Sequence, residues 1–427
     1  VTEPFTLDNA AKAWPAVVSK RQTSRFRLSA VFHTPLVYEH LDRAVQLVRQ
    51  RYPWFMVRLG KGFFWYHLRE DPKGFALVPD IRHPCTLAPE ESPIGQVLVT
   101  VHGFHRILSI EASHMITDGA GLREIFQTLV SCYCALKVGS DLRKLEWGKV
   151  RSPLDTPKPD EWVDEFLNHD LEGIPGPEVP SKALHLPVRP LPPNQYRVVH
   201  GIIPLDTLKE RARTRGVKVG EYLGAAVLFA FQSCILEVPK AARRRLVRRP
   251  LRLLIPVDLR KLYGSNTLRN FLLGLGVDID VRLGVYSFEE ILRRVHHTQQ
   301  TELDEKYLRR QLSRNVRGEQ RLAIRLVPLF LKDLFLGIVF RDLGEVRHTA
   351  SFSNLGQINL APGTEHLVDH MALVPPPGSL SRINVTALSF GNTLCLTVGK
   401  TTRYRRFDYH LFRFLADQIL GVRMWTN

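Results

Sequence analysis

The chain has 427 residues, 44% hydrophobic and 24% charged, which excludes a disordered chain and exceeds what one hydrophobic core usually covers. A formal charge of +17 admits nucleic acid, an anionic membrane or a phosphorylated or acidic ligand as partner. No zinc-finger spacing, basic zipper or aromatic RNA-binding signature supports specific nucleic-acid recognition.

In chain order, residues 41–52 carry Leu41, Ala44, Val45 and Val48 at helical spacing, and Pro53 stops the helix. A hairpin is expected next, with strands at 54–59 and 63–66 around a Gly-Lys-Gly turn. Two more strands, 96–101 and 105–112, are expected around a turn at His102-Gly103, with Leu108, Ile110 and Ala112 on the buried face. After Gly121 the period becomes helical through Leu122, Ile125, Phe126, Leu129, Tyr133 and Leu136, ending at Gly139.

Residues 151–198 are proline-rich and weakly periodic, the character of a linker, so the expected division is 1–150, a crossover at 151–198, and 199–427. The second half reads as a strand at 198–203, a helix at 205–215 and an apolar helix at 219–238. Glu221, Gln232 and Ser233 mark that apolar helix as core and not a membrane span. A strand at 253–260, helices at 287–310 and 319–336, strands at 349–360, 382–390 and 393–400, and a last helix from Asp408 complete the reading. The basic run 240–252 serves either as a solvated face or as a site for phosphates or an acidic partner. The apolar segment 322–336 serves as core or as a contact with a membrane surface.

Five cysteines, an odd number with no metal or disulfide-framework spacing, predict reduced thiols and a cytoplasmic protein. The first residues, Val-Thr-Glu-Pro, carry no secretory-leader pattern, and no transmembrane segment is expected.

The segment EASHMITDGAG concentrates the chemistry. His114 falls where a strand gives out, and Asp118-Gly119 opens the following helix. A structural histidine is one reading. Metal ligation lacks further ligands at suitable spacing, and a hydrolase triad lacks a Gly-x-Ser-x-Gly elbow. Ser113 is a poor partner, because it points away from its neighbour on the strand. A general base at neutral pH remains, with Asp118 holding the loop and the glycines allowing close approach to the backbone.

SHMITDGAG resembles the His-x-x-x-Asp-Gly motif of the coenzyme A-dependent acyltransferase superfamily, which includes chloramphenicol acetyltransferase, the condensation domains, wax ester synthases and alcohol acetyltransferases. RYPWFMVRLGKGFFWYHL, RGVKVGEYLGAAVLFAF, IPVDLRKLYGSNTLRNF and SFSNLGQINL resemble further segments of the alcohol acetyltransferase-like branch, in the expected order. Many relatives carry two adjacent histidines; this chain has Ser113-His114, and His114 matches the one to which catalysis is assigned.

The resemblance implies an α/β fold of two chloramphenicol-acetyltransferase-like subdomains, each a mixed β-sheet flanked by helices, with the active site in a tunnel between them. It implies transfer of an acyl group from acyl-CoA, a co-substrate and not a bound cofactor, to a hydroxyl or amine. His114, Asp118 and Gly119 are then the candidate catalytic residues, with His114 as base and neither a metal nor a covalent acyl-enzyme. Asp118 forms a structural ion pair with Arg260, or alternatively with Arg269. Ser353 and Asn354 either support the oxyanion or shape a turn. An acidic acyl carrier protein is the alternative donor, and a retired acyltransferase fold used for binding is the alternative class. The chain is expected to be a monomer.

Overall fold

The computed structural model describes residues 5–87, 95–168, 173–320, 327–419 and 421–426. Two mixed sheets dominate the described residues. The first has five strands in the order β12-β2-β7-β6-β5, formed by β2 (Arg25–Phe32), β5 (Ala76–Pro79), β6 (Val99–Phe104), β7 (Ile107–Ser113) and β12 (Val368–Val374). The second has seven, β10-β9-β11-β13-β14-β8-β15. Its strands are β8 (Arg197–Pro204), β9 (Leu251–Asp258), β10 (Leu272–Ile279), β11 (Ala350–Gln357), β13 (Ile383–Phe390), β14 (Thr393–Lys400) and β15 (Arg423–Thr426). A small sheet joins β1 (Phe5–Thr6), β4 (Tyr66–Glu70) and β3 (Val57–Lys61). Two mixed sheets flanked by helices are the architecture the resemblance implies.

β7 lies at the centre of its sheet, antiparallel to both β2 and β6. Its buried face was legible, but Ser109, Glu111 and Ser113 are buried as well. The opposite face is covered by a charge cluster in which Glu111 meets Arg27 at 3.0 Å and Arg25 at 3.6 Å, while Arg27 also holds Asp80 at 2.8 Å. A buried carboxylate with such partners gives a strand buried on both faces the alternation of a one-sided one.

Helix α1 (Tyr38–Arg51) packs on helix α2 (Gly119–Lys137). α2 begins at an N-cap, Asp118, and the chain leaves it through Gly139 at φ +72°. In the second half, helix α3 (Leu205–Arg213) precedes helix α4 (Val219–Leu236). Among the described residues α4 alone is long and apolar enough to cross a bilayer, and most of it is buried inside the protein.

The described residues of the segment 151–198, expected to be a linker, are tied down in part. Glu161 receives both terminal nitrogens of Arg51 at 2.6 and 2.7 Å, and Trp162 stacks on Trp54. Strand β12, from the second half of the chain, completes the first sheet by pairing with β2. Its Ala372 packs with Ile202 of β8 and Cys395 of β14 in the second sheet. β12 therefore belongs to the first sheet and packs on the second.

Several expectations shift. The turn between β6 and β7 falls at His105-Arg106, with His105 at φ +50°, because His102 stays in the ladder opposite Ser109. In the first hairpin, Gly60 and Lys61 remain in β3, and the turn is closed by the Gly62 N–H on the Trp65 carbonyl at 3.0 Å. Phe63 and Phe64 thus sit at the hairpin tip and not in a strand. The helical stretch 287–310 divides into Phe288–Glu302 and Glu305–Gln320, because the Asp304 carboxylate caps the second, accepting from Lys306 N at 2.9 Å. Of the helix expected at 319–336, residues 321–326 lie outside the described residues. Beyond them a helix runs Leu329–Leu343, with Pro328 as its N-cap.

The basic run also divides. Lys240–Leu246 forms a short solvated helix, whereas Arg252 belongs to β9 and pairs with Asp278. All five cysteines are buried and unpaired, including Cys132 and Cys134 on α2.

Candidate active site

His114 is the first residue past β7 and is half-buried. Its backbone is held from two directions. The His114 N–H donates to Ser24 O at 2.9 Å, and Asn270 Nδ2 donates to His114 O at 3.0 Å. Its ring lies 4.4 Å from Phe26, near-parallel at 25°, and 5.5 Å from Trp14 at 13°. Ser113 supplies the preceding brace: its hydroxyl lies 2.6 Å from the Ser24 hydroxyl and accepts from Met115 N at 3.1 Å.

Asp118 is wholly buried, four residues on. Oδ1 accepts from Gly121 N at 2.9 Å, capping α2, and Oδ2 accepts from Phe271 N at 2.8 Å. The structure brings Arg260 to it as a fork, NH2 to Oδ1 at 3.0 Å and NH1 to Oδ2 at 3.1 Å. Arg260 is fixed in turn by Asp258 Oδ1 at 2.8 Å, Thr267 O at 2.7 Å and the Arg269 carbonyl. Burial alone would lower Arg260, but Asp118 and Asp258 overcome it and hold the guanidinium more firmly charged than usual. Arg269, the alternative partner, instead faces buried Asp8 at 3.6 Å and donates to Thr6 O at 2.7 Å.

The segment 260–271 is therefore a scaffold from the second half that grips the first. Thr117 adds a 2.6 Å bond to Leu268 O, and Asn270 Nδ2 also reaches Asp8 at 2.9 Å. Gly121 is the glycine this packing requires. A Cβ there would overlap the Leu268 carbonyl oxygen and the Thr117 hydroxyl, whereas at Gly119 it would touch only Leu355 Cδ1 at 3.2 Å. Gly119 is the first residue of α2 and is not among the positive-φ glycines, so unusual backbone freedom is not what it provides. Gly121→Ala should lower stability by about 1–3 kcal/mol, read as an earlier chemical-denaturation midpoint. An unchanged midpoint would mean that the 260–271 segment yields easily.

Ser353 and Asn354 lie on β11, paired in parallel with Thr386 and Ala387 of β13. Asn354 Oδ1 accepts from Gly356 N at 3.1 Å where the register shifts and Gly356 takes φ +77°. The turn-shaping reading of Asn354 thus has a visible basis. Neither residue is hydrogen-bonded to His114 among the described residues. The next residue, Leu355, does reach the motif: it packs toward Gly119, and its carbonyl accepts from Arg123 of α2 at 3.1 Å.

Asn270, Asp8, Phe26 and Trp14 escaped sequence reasoning. Trp14 stands in a single 3-10 turn with no periodicity to mark it, and Asp8, which locally accepts from Ala11 N, reaches the site through Asn270, more than 250 residues away. No group of histidine, cysteine and acidic side chains suited to a metal occurs among the described residues.

No family model matches the sequence, and no curated protein matches it. Solved structures do match in fold. F. graminearum TRI101 complexed with ethyl coenzyme A aligns with TM-score 0.64 at 12% identity, covering 99% of both chains. Polyketide synthase associated protein 5 from Mycobacterium tuberculosis gives 0.59 at 13%, over 98% of this chain and 100% of that one. The first condensation domain of the CDA synthetase gives 0.55 at 15%, over 98% and 96%. The chain shares the fold of these solved structures over nearly its whole length.

Proposed function

We propose that the protein transfers an acyl group from an acyl-CoA thioester to a hydroxyl or amine, with His114 as general base. The observation that supports this most is the position of the imidazole. The residue that carries it stands at the junction of the two halves, its backbone clamped by Ser24 from one side and by Asn270 from the other, on a loop locked by Asp118 and Arg260. Structural neighbours complexed with coenzyme A, such as TRI101 with coenzyme A and deoxynivalenol, support the donor class.

In this reading His114 takes the acceptor proton as the acceptor oxygen or nitrogen attacks the thioester carbonyl. The tetrahedral oxyanion collapses, the carbon–sulfur bond breaks, and the imidazolium returns its proton to the departing thiolate. Ser353 and Asn354 either support the oxyanion or, as the bond from Gly356 N to Asn354 favours, shape the turn beside it. Asp118 and Arg260 position the loop and handle no proton.

Burial pushes the His114 imidazole below its usual range, and Asp118 and Asn270 offset this only in part. Only the neutral ring accepts a proton. kcat/KM should therefore rise with pH through a midpoint below the ordinary histidine value of about 6.5 and then level off. A profile still climbing well above neutrality would remove His114 from the base role.

The reading is tested by a donor and acceptor screen. Purified protein is given short- and long-chain acyl-CoAs with pooled alcohols and amines, and free thiol and product masses are followed. Acceptor-dependent thiol release with a matching ester or amide is expected. Silence with every acyl-CoA, alongside turnover of an acylated carrier protein, would replace the donor assignment.

A further inference from the structure

The helix Leu329–Leu343 is built inside out. Its charged residues near the N-terminus face the protein: Lys332 donates to Phe64 O at 2.9 Å and lies 3.7 Å from the centre of the Trp65 ring, and Asp333 accepts from Tyr66 OH at 3.0 Å. Its outward face carries Phe330, Leu331, Leu334, Phe335 and Ile338, all exposed, at positions that share one side of a helix. The tip of the β3–β4 hairpin joins this face, since Leu329 N donates to Phe63 O at 2.8 Å. Phe335 keeps 69% and Phe63 71% of their surface exposed, which no fold-stability argument rewards. A run of large apolar side chains of this kind marks an interaction surface.

The charge of the molecule selects the partner. The chain carries +17, and Lys61 and Arg69 stand on the strands leading to the hairpin tip. An apolar face on a strongly cationic protein is complementary to an anionic lipid surface. The inward side of the same helix reaches the site. Phe340 of the same helix packs 5.1 Å from Trp14, and Trp14 stacks on His114.

We propose that this face seats the protein on an anionic phospholipid bilayer, so that a membrane-dissolved acceptor or acyl chain reaches His114 beside Trp14. The docking stands on the surface alone; its purpose rests on the acyltransferase reading above.

The full chain is floated with vesicles of phosphatidylcholine alone and of phosphatidylcholine mixed with phosphatidylglycerol, at low and moderate salt. Binding to the mixed vesicles, weakened by salt, is expected, with a loss of about tenfold or more in Leu334→Ser/Phe335→Ser. Both positions are exposed, so the double variant should fold, which a denaturation midpoint checks. His114→Ala should bind vesicles as the parent does. No flotation with the mixed vesicles, or flotation unchanged by the double substitution, would overturn the proposal while leaving thiol release untouched. A dimer dispersed by that substitution, without vesicle binding, would assign the face to a second copy instead. Flotation without acyl transfer in any assay would sink the acyltransferase reading alone.

Discussion

Asp118→Ala is expected to cost about 3–5 kcal/mol of stability, with loss of activity following from loss of the loop. The carboxylate is fully buried and serves the α2 N-terminus, Phe271 N and the Arg260 fork at once. Removing it strips the helix of its cap and leaves a mostly buried guanidinium facing a gap, with Asp258 as its remaining carboxylate partner. Asp118→Asn separates these contributions, because the single amide oxygen can still accept from Gly121 or from Phe271, though not from both, and does not neutralise Arg260. Its denaturation midpoint should fall between those of the parent and the alanine variant. Equal midpoints for all three would show that the pair holds nothing together.

His114→Ala should behave in the opposite way, losing about 100- to 10,000-fold in kcat/KM with a smaller change in unfolding. The main anchors of this residue are backbone groups, the N–H to Ser24 O and the carbonyl accepting from Asn270, and alanine keeps both. What goes is an imidazole between two aromatic rings and the proton acceptor it provides. A variant as active as the parent would reduce His114 to a packing residue. Asn270→Ala supplies a useful contrast: it should lower the rate by misplacing the loop and also shift the denaturation midpoint.

The course of the chain was legible where local chemistry decides it. Helical spacing placed α1 and α2, and the strand-to-loop passage placed His114 at the end of β7. Arg260 was reached only through the resemblance of the PVDLR segment to other acyltransferases, with Arg269 as the alternative. What escaped depends on distant partners. β10 was overlooked although Leu273, Leu275, Val277 and Ile279 alternate with outward positions, because Gly274 and Gly276 weaken it as a strand by composition. Those glycines have a local reason: a Cβ at 274 would collide with Leu254 on the neighbouring β9. β12 could not be assigned to the first sheet from its own residues, since its partner β2 precedes it by more than 300 positions. The apolar stretch 322–336 left core and membrane-surface contact both open in sequence; the inward turn of Lys332 and Asp333 shows which side of the helix faces out.

The most direct test of the account is made without an acceptor. Protein and acyl-CoA are mixed, free thiol is followed, and the intact protein mass is recorded before an alcohol or amine is added. Direct transfer by a base predicts an unchanged mass and no thiol burst until the acceptor arrives, then thiol and product in equal amounts. A protein mass increased by one acyl group, with a stoichiometric burst of thiol before any acceptor, would show a covalent acyl-enzyme and contradict the role given to His114.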